Sequence, residues 1–247
     1  MGSPWEGEAR DLLEAAVRRH GGWDAWQEHQ GVTLRPTSLT GLLPVIKGVG
    51  RTFPVPPRID VRPHQRAATF FDYPRPGWRG DYTDGKLAIT DDRGSAVVSI
   101  ADPRPAFRGL RKLRRWTPAD ALYFFGYALT HYHSLPFTLA EGRPLALRRT
   151  SHEGRSLTGI EVELPAALHT HCRRQTFYFE PDGLLRRHDY VADIVGWWAR
   201  GAHLWSDFVI AGGIEIAQRR RVVGRLGRRA TPFAVLRAEL AVDPSCS

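Results

Sequence analysis

His203, Trp205 and Asp207 occupy alternate positions of AHLWSDF (202–208), the spacing that puts side chains on one face of a β-strand. Ala202, Leu204, Ser206 and Phe208 fall on the other face. An imidazole and a carboxylate flanking an indole suit general acid–base chemistry, in which the carboxylate orients the imidazole and burial moves both groups toward titration near neutrality. In LLRRHDYVAD (184–193), His188 and Tyr190 share one face while Arg187, Asp189 and Asp193 share the other. Sequence does not fix the register between the two strands, so either face of 184–193 can meet His203. On the catalytic reading, His203 is the general base, Asp207 its orienter, and Tyr190 and His188 the proton donors. The bland reading of the same residues is a buried polar network whose members satisfy one another, or a face turned to solvent.

Two H-x-H pairs invite a metal reading. On a helix, His131 and His133 stand about 200° apart and cannot share one ion easily. His169 and His171 share a strand face, but Cys172 points to the other and no third ligand follows at a recognisable spacing, so no metal is expected. Such histidines more often line a pocket mouth or cap a helix end. The aromatic run Tyr123-Phe124-Phe125-Gly126-Tyr127 is either helix core or a cavity wall. Tyr123, Phe124, Tyr127, His131, His171, Tyr178 and Trp205 are the candidate ligand contacts, and Trp197–Trp198 is a lid or a partner contact. No G-x-G-x-x-G, Walker loop or nucleophile elbow occurs, so neither a cofactor nor serine-hydrolase chemistry is expected.

The elements that must hold these residues are mostly strands. Leu12, Leu13, Ala16 and Val17 recur at helical spacing, Gly21–Gly22 ends that helix, and Trp23-Asp24-Ala25-Trp26 opens a short second one. Proline and glycine crowd the segment from Pro36 to Pro63, predicting loops around short strands. Asp84–Gly85 between DYT and LAI predicts a two-residue hairpin, and Asp91–Gly94 the next turn. Thr117 as N-cap, Pro118 in the first turn and Asp120 behind it predict a helix with a Leu122, Phe125, Leu129, Tyr132 stripe, ended by Pro136. Strands are predicted near 157–163, 171–180, 184–193, 202–210, 214–223 and 233–242, with turns at Pro181-Asp182-Gly183 and Gly212–Gly213. Short, regularly spaced strands with helices packed on one side predict an α+β half-barrel. No linker or repeat interrupts the chain, so one domain over 1–247 is expected.

A net charge of +9 raises the question of nucleic acid. Only Lys47, Lys86 and Lys112 among the 35 basic residues are lysine, a bias that a GC-rich genome produces by codon usage, and the arginines are spread along the chain apart from short clusters at Arg111–Arg115, Arg219–Arg221 and Arg225–Arg229. No nucleic-acid partner is expected. No stretch has the length of a membrane helix, so no stable membrane insertion is expected either. The N-terminal MGSPWEGEARDLLEAAV carries early acids and no signal-like apolar run, and Cys172 and Cys246 build no disulfide framework, so the expected location is the cytoplasm. The sequence is silent on oligomeric state.

HGGWDAW (His20 to Trp26) resembles the HGG-x-x-x-W opening of many LolA-like proteins. GYALTHYHSLPF (126–137), HTHCRRQTFYFEPDGLLRRHDY (169–190), AHLWSD (202–207) and RRRV (219–222) fit the same pattern. Together they resemble an actinobacterial branch of the LolA/LppX-like (lipoprotein carrier-like) fold. The resemblance implies a curved antiparallel sheet forming a half-open barrel plugged by helices, whose cavity takes lipids or acyl chains. The chain departs from the exported carriers in showing no signal peptide or lipobox, and it departs locally from the pattern at Phe208, where a second histidine is expected, and at Ala217–Gln218, where Pro–Thr is usual. With the titratable residues above, the expectation is a hydrophobic small molecule held in the cavity by a cofactor-independent acid–base enzyme, a cyclase, isomerase or dehydratase acting on a polyketide-like or terpenoid substrate. The alternative is a non-catalytic binding protein for a lipid or hydrophobic metabolite.

Overall fold

Asp84 and Gly85 both take positive φ, 45° and 86°, the backbone that a two-residue type I′ hairpin needs. Gly212 and Gly213 do the same at 54° and 76°. The computed structural model describes residues 6–168, 170, 172–196, 199–227 and 229–243. Along these residues the elements run α1 (Gly7–Arg19), α2 (Gly22–Glu28), β1 (Val32–Thr40), α3 (Leu42–Lys47), β2 (Arg58–Arg62), β3 (Ala67–Phe71), β4 (Arg79–Thr83), β5 (Lys86–Thr90), β6 (Ala96–Ile100), α4 (Pro118–His133), β7 (Arg143–His152), β8 (Arg155–Glu163), β9 (Arg174–Phe179), β10 (Leu185–Val191), β11 (Arg200–Ala211), β12 (Ile214–Leu226) and β13 (Arg229–Val242). Short 3-10 turns at Arg104–Phe107, Gly109–Leu113 and Phe137–Glu141 complete the set. The thirteen strands form one antiparallel sheet in the order β6-β5-β4-β3-β2-β1-β13-β12-β11-β10-β9-β8-β7. This is the α+β class that the strand spacing predicts, with the antiparallel sheet that the resemblance implies.

The chain divides into two compact units, Met1–His29 with Leu135–Ala234, and Gln30–Ser134 with Val235–Ser247. No linker marks these boundaries, and the last lies inside β13, so composition could not have signalled them.

In the unit formed by 30–134 and 235–247, cross-strand rows separate the two faces of the sheet. Ile59, Phe70, Gly80 and Ile89 stand opposite one another, as do Val61, Ala68, Tyr82 and Leu87. Helix α4 packs on this apolar face, against β2 to β5. Its N-terminus is a complete capping box: Asp120 N donates to the Thr117 hydroxyl, and the Asp120 carboxylate accepts from Thr117 N. A Cβ on Gly126 would lie 2.5 Å from the Tyr82 ring, so this glycine sets how closely the helix approaches the sheet. The buried stripe therefore centres on Leu122, Gly126 and Leu129, with Phe125 at its half-exposed margin. The opposite row, Thr33, Asp60, Thr69 and Asp81, is polar, with hydrogen bonds from Thr33 to Asp60 (2.8 Å) and from Thr69 to Asp81 (2.9 Å).

In the unit formed by 1–29 and 135–234, HGG is a packing device. His20 caps α1 through its backbone N–H, and its carbonyl accepts from Glu215 N. Gly21 has φ 118°, and a Cβ there would lie 2.2 Å from Gly213 O, so only glycine lets the α1–α2 turn rest on the β11–β12 hairpin. Trp26 stacks on Phe137 at 4.5 Å and Trp23 meets the same ring edge-on at 5.6 Å.

Candidate functional site

The register left open by sequence is settled by the pairing of β10 with β11, in which His188 stands opposite His203 and Tyr190 opposite Gly201. On β12, Val222 is opposite His203 and Arg220 opposite Trp205; on β9, Phe177 is opposite His188. One face of four strands thus gathers Phe177, His188, Tyr190, His203, Trp205 and Arg220. His188 stacks flat on Phe177 at 4.6 Å and lies 4.8 Å from Tyr190 and 6.4 Å from His203. His203 leans on Trp205 at 5.5 Å, and the Arg220 guanidinium sits 5.0 Å above the indole. Both imidazoles are 2% exposed.

One hydrogen-bond chain orients His188. Gln175 Nε2 donates to Cys172 O at 2.5 Å, which turns Gln175 Oε1 toward His188 Nε2, also at 2.5 Å. An amide oxygen only accepts, so Nε2 carries a proton and donates it to Gln175. Gln175 and Phe177 were not singled out from sequence, although they share strand parity with each other. Arg220 was read only as part of an arginine cluster. Alternation along Arg219–Arg221 distinguishes it, since Arg220 alone of the three has the parity of Val222.

Asp207 does not join His203. Its φ is 57°, which breaks the pleat at that residue, and its carboxylate turns out to pair with Arg219 at 3.1 Å, both side chains being 55% exposed. The predicted imidazole–carboxylate dyad is therefore absent. Tyr178 is corrected too: it stands opposite Arg187, on the reverse face from His188, with the Arg187 guanidinium 5.2 Å over its ring. On that reverse face Arg187 and Asp189 form a bidentate ion pair at 2.7 and 2.9 Å, both 2% exposed, with Arg225 Nε 3.5 Å from Asp189. His152 borders this charged face. Burial lowers its pKa, Glu153 acts in the opposite direction, and the Arg187 and Arg221 charges lower it further.

Tyr123, Phe124, Tyr127 and His131 belong to α4, in the other unit. Tyr123 is buried there against Phe107 (5.4 Å), Tyr127 (5.5 Å) and Tyr82 (6.1 Å), and burial pushes its hydroxyl up to about 12. Phe124 and Tyr127 are half-buried, and His131 lies 5.8 Å from Tyr132. His133 donates from Nδ1 to Leu129 O at 2.7 Å, a helix-end role of the expected kind. His169, His171, Trp197 and Trp198 lie outside the described residues. Among the described residues no cluster of three or more His, Cys, Asp or Glu has the geometry to hold a metal ion, and no helix is long and apolar enough to cross a membrane.

Against solved structures, a putative outer membrane lipoprotein-sorting protein domain from Vibrio parahaemolyticus superposes with a TM-score of 0.50 at 10% identity, covering 93% of this chain and 89% of that one. The fold is LolA-like. A LolA superfamily protein from Nitrosomonas europaea (TM-score 0.49, 8% identity, 96% of this chain and 92% of that one) and a DUF1329 family protein from Desulfovibrio piger (TM-score 0.47, 12% identity, 97% and 92%) are also similar. No protein-family model matches the sequence, and no curated protein does. At such identities the likeness concerns the fold, and any function has to be argued from this chain's own residues.

Proposed function

We propose that this protein binds a hydrophobic small molecule, a lipid-like or polyketide-like or terpenoid chain, against the ring face of β9 to β12. The observation that carries this reading is the continuous row Phe177–His188–His203–Trp205, with Tyr190 beside it and Arg220 at its end. Such a row offers flat apolar area together with a few oriented polar atoms, the composition of small-molecule sites. The LolA-like fold supports the same reading, and the arginine bias supports an actinobacterial branch of it. Native mass spectrometry of freshly purified protein tests it. A retained apolar molecule is expected, and Trp205→Ala or Phe177→Ala is expected to weaken its retention about ten-fold or more. Protein that emerges empty and takes up no apolar probe would overturn the reading.

A second reading, cofactor-independent acid–base catalysis, is favoured by the closeness of Tyr190, His188 and His203. His203 serves as base and His188 or Tyr190 as proton donor, without a carboxylate orienter, since Asp207 points elsewhere. Its mark is a separation of binding from turnover: His203→Ala keeps the bound molecule but stops its conversion. Retention of an unconverted molecule by both wild type and variant leaves binding as the whole function.

A further inference from the structure

Helix α3 presents apolar residues on both sides. Leu43 and Pro44 are buried, while Leu42, Val45 and Ile46, at i, i+3 and i+4, are 60%, 54% and 51% exposed. The 3-10 turn Gly109–Leu113 adds two more exposed apolar side chains. With three residues per turn, Leu110 and Leu113 lie on one side, and they are 82% and 72% exposed. The two segments adjoin. The buried Lys47 ammonium at the end of α3 donates to Lys112 O and, at 3.3 Å, to Arg114 O, and Trp116 N donates to Lys47 O at 3.0 Å.

Five large aliphatic side chains therefore stand in water on neighbouring turns, where a soluble surface ordinarily carries polar ones. Their surroundings are basic. Arg104, Arg108, Arg111, Lys112, Arg114 and Arg115 lie between residues 102 and 116, with Asp102 the one acid there, paired to Arg104 at 3.1 Å. Across 41–52 there is no acid at all, and Arg51 is basic and exposed. Nucleic acid would use the arginines but leave five leucine, valine and isoleucine side chains in water. An anionic lipid surface uses both, because cations meet the headgroups while the aliphatic side chains enter the interface.

We propose that α3 and the Gly109–Leu113 turn form a peripheral docking surface for bilayers containing anionic phospholipid. This surface is independent of the ring face of β9 to β12, so either assignment can fail without the other. Flotation of the full-length protein with phosphatidylcholine vesicles, with and without phosphatidylglycerol, tests it. Binding is expected only with phosphatidylglycerol and falls as salt rises. Arg111→Glu with Arg114→Glu is expected to weaken binding by about 25-fold or more, since each basic residue near the surface is worth about five-fold. Leu110→Ser with Leu113→Ser is expected to weaken it about ten-fold with all charges kept. Leu110→Ser alone, at the most exposed of the five positions, gives the same direction if a double variant fails to fold. Equal binding to both kinds of vesicle would overturn the proposal. So would undiminished binding by the leucine variants, or displacement from vesicles by duplex DNA of matched charge; the last outcome would make the surface a general polyanion patch.

Discussion

Neighbouring residues of β10 bury polarity in opposite ways on the two faces of the sheet. Arg187 and Asp189 spend their charge on each other through two parallel hydrogen bonds, with Tyr178 against the guanidinium and Arg225 nearby. His188, between them in sequence, faces the other way and lies flat on Phe177 beside Tyr190 and His203. The charged face is a closed pair that the fold itself consumes. The ring face holds weaker polar groups spread over stacked rings, with Phe177, His188, His203, Trp205 and Arg220 each 5% exposed or less. Strength of charge is thus a poor guide to the candidate site in this sheet: the strongest buried charges pair with each other, and the milder groups gather on the opposite face.

The contrast is most easily broken at Asp189. Removing one partner of a buried pair leaves the other charge uncompensated, so Asp189→Ala is expected to cost about 3–5 kcal/mol, read from urea unfolding midpoints. Replacing both, Arg187→Met with Asp189→Leu, is expected to restore most of that stability, because neither charge is then stranded. A loss below about 1 kcal/mol in the single variant would mean that the pair is not the closed structural unit described above.

Acid tests the other way of burying polarity, with a single imidazole that no carboxylate among the described residues pairs through a hydrogen bond. His20 is 1% exposed, and burial holds its pKa down at about 4; the Ala16 carbonyl that accepts from Nδ1 acts in the opposite direction, and the Arg19 charge lowers it further. In the unfolded chain the same group titrates near 6.5. Between these values the unfolded state binds the proton and the folded state does not. Stability from this group is therefore fully present above about pH 6.5 and is lost as pH falls toward 4, by roughly 3 kcal/mol in all. His20→Gln, whose amide can still donate to Ala16 O, is expected to flatten that part of the profile. Unfolding midpoints of both proteins at a series of pH values check it, and parallel profiles would refute the assignment.

Elements set by local chemistry were legible in the sequence. The Asp84–Gly85 and Gly212–Gly213 hairpins and the Thr117 cap each depend on two to four adjacent residues, and each is present. Strand β7 was not read, because Arg143–His152 is half-buried along most of its length and shows no alternation to detect. Pro44 hid α3 within LLPVIK, and Pro36 suggested a loop where β1 continues through a register shift between Pro36 and Ser38. For the candidate site, parity correctly paired His203 with Trp205 and His188 with Tyr190. Which pair met which depended on cross-strand register, a contact between distant parts of the chain that alternation cannot supply. HGG was visible as a motif, but its reason, the approach of Gly21 to Gly213, exists only once the two segments meet.

The smallest expected effect sharpens the same contrast, at the residue where strand parity failed. Asp207 follows the phase of His203 in sequence, yet its left-handed backbone sends the carboxylate to Arg219 in solvent. Asparagine tolerates the same backbone, so Asp207→Asn removes the charge without adding strain. An ion pair this exposed contributes little, and the change is expected to move stability by less than about 0.5 kcal/mol. Retention of an apolar molecule, and any turnover, should stay at the wild-type level, whereas His203→Ala should alter one or both. A large loss of function in Asp207→Asn would mean that the carboxylate reaches the ring face in the working protein, and the acid–base reading would regain its orienter.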